Sequence, residues 1–169
     1  HPDLALLLMT SGSTGHGKAV RLSRAAVAAN AASIGQVLGL GPGDRAALVL
    51  PLHYSFGLSV LTSHLLAGAS VWLAEGGIRG EGFVEGMRDL GVTNLQTVPA
   101  GYDLLQSVGF LSADLPALRV MAGAGGGLAP RMQRTFAEAM AARGGTFHAM
   151  YGQTEAVARI ACLPADMAV

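Results

Sequence analysis

Apolar residues alternate along the chain between two arrangements. Short apolar runs, interrupted by polar residues at 70, 93–94, 96–97, 119, 146 and 148, occur at 4–9, 46–50, 70–74, 93–98, 118–122 and 146–150. Between them, 24–38, 57–67, 82–90, 100–108 and 130–143 read as longer helical patterns. A run that is apolar throughout, rather than at every second position, is what a parallel strand covered on both faces shows. The alternation therefore predicts an α/β fold, a mainly parallel sheet with helices on both faces, doubly wound and flavodoxin-like. Punctuation agrees: Ser23 can cap the first long helix, the glycine-rich stretch 39–44 stops it, and Pro130 suits a first helical turn. The opening differs, because runs at 4–10 and 18–23 joined by a Gly/Ser/Thr loop predict a hairpin. No repeat and no linker divides the chain.

Composition narrows the functional classes. The 169 residues are 51% apolar and 13% charged, which excludes disorder. Two explanations of so apolar a chain stay open: a sheet covered on both faces, or a piece of a larger protein with an uncovered interface. Eleven basic residues balance eleven acidic ones, which argues against a nucleic-acid partner. The single cysteine, Cys162, excludes a disulfide framework and a cysteine-based zinc site and suits a reducing compartment. Residues 46–74 lack any charge, but Pro51, His53, Ser55, Thr62, His64 and other polar positions interrupt them, so no membrane span is expected. With no signal-peptide pattern at His1-Pro2-Asp3, a cytoplasmic location is expected.

Candidate chemistry concentrates in the loop Thr10-Ser11-Gly12-Ser13-Thr14-Gly15-His16-Gly17-Lys18. Glycines let backbone N–H groups converge on an anion, hydroxyls donate to phosphate oxygens, and a lysine adds positive charge. The competing description is a polar hairpin turn. Residues 12–18 satisfy G-x-x-x-x-G-K, yet Ala19 stands where a P-loop needs Ser or Thr, and a strand pattern follows instead of a helix. A P-loop nucleotide hydrolase is thereby disfavoured. No G-x-S-x-G elbow supports a serine hydrolase. His1, His64 and His148 have no metal-site spacing. Arg131, Arg134, Glu138 and Arg143 describe a solvated helix face.

The loop resembles the phosphate-binding signature of the acyl-adenylate-forming superfamily: acyl-CoA synthetases, acyl-AMP ligases, luciferases and peptide-synthetase adenylation domains. The family form is Thr-Ser-Gly-Ser/Thr-Thr-Gly-x-Pro-Lys-Gly; Thr10 to Gly15 and Lys18 match in register, while Gly17 and Ala19 depart from it. Two further segments resemble family motifs in the same order. Leu50 to Leu58 is similar to Pro-Leu-aromatic-His-x-x-Gly, with Gly57 matching and His53 and Tyr54 sharing the histidine's place, so which of the two faces a substrate stays open. Met150 to Glu155 resembles Tyr-Gly-x-Thr-Glu. The stretch 122–130 is similar to the family's Gly-Gly-Ala-x-Leu turn, with the register open by one position.

The resemblance implies ATP-dependent adenylation of a small carboxylic acid, giving acyl-AMP and pyrophosphate. Thioester formation on CoA or on the phosphopantetheine of an acyl or peptidyl carrier protein would follow. Thr10, Ser11, Gly12, Ser13, Thr14, Gly15 and Lys18 would hold phosphates, and Gly125 and Gly126 would approach adenine. Tyr151 would stack on that base beside Gly152, Thr154 would bond the α-phosphate, and Glu155 would hold Mg²⁺. Lys18, Thr154 and Glu155 are then the catalytic candidates, and His53, Tyr54 and Gly57 the acid pocket. Peptide-synthetase domains place an Asp in that pocket segment, and none occurs between Asp44 and Asp89, which disfavours an α-amino acid substrate. By the same resemblance, residues 1–169 form a single subdomain from the middle of the family's large N-terminal domain. The N-terminal subdomain, hinge and C-terminal domain are then absent, and the chain alone is incomplete and prone to self-association through apolar surface. A non-catalytic nucleotide-binding or structural subdomain is the alternative.

Overall fold

A computed structural model describes residues 1–10 and 17–168. Strands β1 (Leu4–Thr10) and β2 (Lys18–Ser23) form an antiparallel hairpin. Helix α1 (Arg24–Leu38) follows without a linker, because the Ser23 side chain accepts from the Ala26 N–H at 3.1 Å and Gly39, left-handed at φ 59°, ends it. Then come β3 (Arg45–Leu48), α2 (Ser55–Leu66), β4 (Ser70–Leu73), α3 (Phe83–Asp89), β5 (Asn94–Thr97) and α4 (Pro99–Ser107). Strand β6 (Val120–Gly123), α5 (Pro130–Ala142), β7 (Thr146–Tyr151) and β8 (Ala161–Cys162) complete the order.

The six-stranded sheet runs β4-β3-β5-β6-β7-β8. The first five strands pair in parallel, in the flavodoxin-like order, and β8 returns antiparallel to β7. Both faces are covered. Ala46, Leu48, Val120 and Ala122 pack under α1 and α2 with Ile34, Leu38, Phe56 and Val60. The intervening positions Ala47, Leu95, Met121 and Phe147 pack on the other side with Phe83, Met87, Tyr102, Leu105, Phe136 and Met140 of α3, α4 and α5. Adjacent residues of one strand thus serve opposite cores, which is why β3 and β6 are apolar at successive positions; β5 is the exception, with Asn94, Gln96 and Thr97 buried.

The amino ends of three strands are tied together by a polar clamp. Asp44, preceding β3, is 7% exposed and accepts from Arg119 Nε at 2.8 Å, from Thr93 Oγ1 at 2.7 Å and from the Gly41 amide at 2.9 Å. Thr93 precedes β5 and Arg119 precedes β6, so a single carboxylate fixes the strand ends away from the ligand edge. Strand β6 starts at Val120, although the Arg119 amide already donates to the Thr93 carbonyl at 2.9 Å and the Arg119 carbonyl accepts from the Thr146 amide at 2.9 Å. No helix among the described residues is long and apolar enough to cross a membrane.

Candidate active site

In an open parallel sheet, ligands bind beyond the carboxyl ends of the strands, where the strand order reverses. Here the reversal falls between β3 and β5, and a cavity of about 840 Å³ opens at that edge. Four segments distant in sequence line it: Met9 and Thr10 from the hairpin, Pro51 and His53 to Phe56 after β3, Ala124 to Gly127 after β6, and Met150 to Glu155 with Ala158 from the end of β7 onward.

Each segment is positioned by its element. Thr10 ends β1 opposite Lys18, the first residue of β2, and the Thr10 hydroxyl donates to the Lys18 carbonyl at 3.4 Å. Lys18 is exposed beside the cavity's hairpin wall. Ser11, Gly12, Ser13, Thr14 and Gly15 lie outside the described residues. After β3, Tyr54 is half-buried at the start of α2 and meets Phe56 edge to face at 6.3 Å, whereas His53 is exposed on the rim. Both reach the cavity; Gly57 does not, being buried in the first turn of α2 against the Leu50–Pro51 backbone.

The turn after β6 closes against that same tyrosine. Gly125 has φ +80°, and a Cβ there would collide with the Tyr54 hydroxyl, so the turn admits only glycine. Gly126 and Gly127 are exposed on the cavity wall, giving a floor without side chains. At the end of β7, Tyr151 is 62% exposed. Thr154 sits in a short 3-10 turn and its hydroxyl bonds the Ser55 hydroxyl at 3.1 Å, joining the β3 and β7 walls. Glu155 is exposed on the same turn. Gly152 lies so close to the Ala158 carbonyl that a Cβ would overlap it.

A profile of the AMP-binding enzyme family matches residues 1–168 of the 169. The chain belongs to the AMP-binding enzyme family. Among relatives of this AMP-binding chain is a PKS-NRPS hybrid synthetase from Aspergillus candidus, 30% identical over 96% of this chain and 6% of its own length. An oxalate–CoA ligase from Arabidopsis thaliana is 33% identical over 84% of this chain and 29% of its own. Among solved structures, VinN in complex with L-aspartate superposes with a TM-score of 0.84 at 30% identity, covering 98% of this chain and 41% of that one. The chain thus spans less than a third of the length of either curated relative.

Sequence reasoning missed several residues at this AMP-binding cleft. Ser55, Phe56, Met150, Gln153 and Ala158 join the wall as neighbours of the motif residues. Arg159 is the larger omission. It is 7% exposed, its guanidinium carbon lies 4.4 Å from the centroid of the Phe56 ring, and Nη1 reaches Met150 Sδ at 3.0 Å. Nη2 donates to Gln96 Oε1 at 2.5 Å, and Gln96 in turn donates to Asn94 Oδ1 at 2.8 Å. Burial lowers the Arg159 pKa to about 9, only partly offset by Cys162 and Tyr102. Its one signal in the sequence was being the sole basic residue after Arg143.

Proposed function

We propose that this chain supplies the nucleotide- and acid-binding cleft of an enzyme that adenylates a carboxylic acid at the expense of ATP. The observation that carries the proposal is the convergence, on one cavity at the switch-point edge, of the hairpin end, the glycine turn after β6 and the Tyr151–Glu155 segment. An oxalate–CoA ligase and an L-aspartate complex among the similar proteins support a carboxylic acid as the substrate.

In this reaction a carboxylate oxygen bonds to the α-phosphorus of ATP while the bond from that phosphorus to the bridging oxygen breaks, releasing pyrophosphate. The protein's part is positioning and charge neutralisation. The side-chain-free floor at Gly125–Gly127 admits a flat base at close range, and Tyr151 offers a ring to stack on it. The Thr154 hydroxyl, oriented by Ser55, can donate to an α-phosphate oxygen. Lys18 and the loop before it would hold the β- and γ-phosphates.

The chemistry at Glu155 fits Mg²⁺, which keeps several waters and takes one or two carboxylates together with substrate phosphates. No group of three or more His, Cys, Asp or Glu side chains forms a cage among the described residues, and Glu155 would offer such an ion a single carboxylate. When bound, such an ion would neutralise charge on the phosphate oxygens. Acyl transfer to CoA or to a carrier-protein phosphopantetheine would follow in the full-length enzyme. The cleft of this chain would bind ATP and an acyl-adenylate. Calorimetric titration of the chain with ATP and a non-hydrolysable acyl-adenylate analogue tests this. Micromolar binding lost in Tyr151→Ala is expected, and absence of binding to either compound would favour the purely structural alternative.

A further inference from the structure

Arg159 is a buried cation without a buried anion. None of the ion pairs among the described residues includes it, and its hydrogen-bond partners are an amide oxygen and a thioether. Its Nε hydrogen has no acceptor among the described residues and lies out of contact with solvent. A desolvated guanidinium normally has a carboxylate or phosphate across from it, because burying an unpaired charge costs several kcal/mol. Two of the residues it touches, Phe56 and Met150, are themselves cavity wall, and Ala158 before it is a third. Arg159 itself does not line the cavity, and the unbranched, flexible Met150 side chain is what stands between its Nη1 and that space, so contact between the guanidinium and a ligand there requires Met150 to change its torsions when substrate binds.

The backbone is strained to hold this arrangement. Val157 at φ 67° and Ala158 at φ 119° both adopt left-handed conformations that L residues rarely take, and Arg159 follows directly. The Arg159 carbonyl is held from the other side by Asn30 Nδ2 of α1 at 2.7 Å. Gln96, anchored by Asn94, fixes the plane of the guanidinium from within the sheet. The fork is therefore preoriented directly behind the Phe56 and Met150 wall of the cleft, with its Nε hydrogen uncommitted among the described residues.

We infer that Arg159 is a specificity residue that pairs with a second carboxylate of the acid substrate, so that the enzyme prefers dicarboxylic acids. The inference rests on the adenylation proposed above. One carboxylate reacts at the nucleotide, and the other, at the far end of the acid, replaces the missing counter-ion beside Phe56 and Met150. A monocarboxylate of the same length would leave the guanidinium unpaired and place a methyl group against it, a mismatch that polar sites discriminate strongly.

The test is ATP–pyrophosphate exchange by the full-length protein with matched pairs: succinate against butanoate, and glutarate against pentanoate. At least a tenfold higher kcat/KM for the diacid of a pair is expected. Arg159→Met should lose at least tenfold on the diacid while holding or gaining on the monoacid, and Arg159→Lys should retain the diacid preference. Diacid should also raise the thermal midpoint of the wild type and not that of Arg159→Met. Equal rates within both pairs in the wild type, or equal losses on both acids in Arg159→Met, would overturn the inference while leaving adenylation intact. Exchange with no acid at all would overturn adenylation itself, and this inference with it.

Discussion

Gly152 has no room for a side chain, since a Cβ would occupy the space of the Ala158 carbonyl. Gly152→Ala therefore has to move the backbone that carries Ala158 and Arg159, and a cost of about 1–3 kcal/mol is expected in urea unfolding. Asp44 supplies a second test of single-residue energetics. Burial alone would push its carboxyl up, but hydrogen bonds from Arg119, Thr93 and the Gly41 amide, with the charge of Arg119, outweigh that and hold it below 3.8. A carboxyl depressed in the folded state contributes stability above its unfolded value, and that contribution drains away as pH falls through the folded value. Wild-type stability should accordingly fall from about pH 4 downward. Asp44→Asn should be less stable at pH 7 and show a flatter acid limb, measured by urea midpoints across the pH series.

At the scale of elements, α5 connects the glycine turn to the core. Its Phe136 is fully buried and meets Tyr102 edge to face at 4.8 Å. Phe136→Ala should cost about 3–5 kcal/mol in chemical denaturation. Amide exchange should rise first at Ala124–Gly127, because the turn is held in place by the start of this helix. Elements such as α1 were legible to the residue, since Ser23 and Gly39 are local signals that act through adjacent backbone. Strand β8 was not legible: two residues, Ala161 and Cys162, become a strand only because Tyr151 and Met150 offer them an edge. The cleft was half legible for the same reason. Thr10, Tyr151, Thr154 and Glu155 carry recognisable spacing, whereas Arg159 is buried by left-handed turns at Val157 and Ala158, which no residue type there announces.

The molecule as a whole carries its polar clamp at the amino ends of the strands and its cavity at the carboxyl ends, so stability and ligand binding are separated in space. Its high apolar content is explained in part by the doubly covered sheet. The hairpin accounts for more, with Leu7 at 58% exposure and Met9, at the mouth of the cavity, at 64%, as does Leu73 at 64% on the sheet edge. Concentration-dependent self-association is expected in size-exclusion chromatography, and a monomeric profile at high concentration would contradict it. The central claim, an adenylating cleft that needs the Glu155 carboxylate, is tested most directly by ATP–pyrophosphate exchange in the full-length protein carrying Glu155→Gln. A loss of at least tenfold relative to wild type, with the protein still folded, is the predicted result; exchange at the wild-type rate would contradict it.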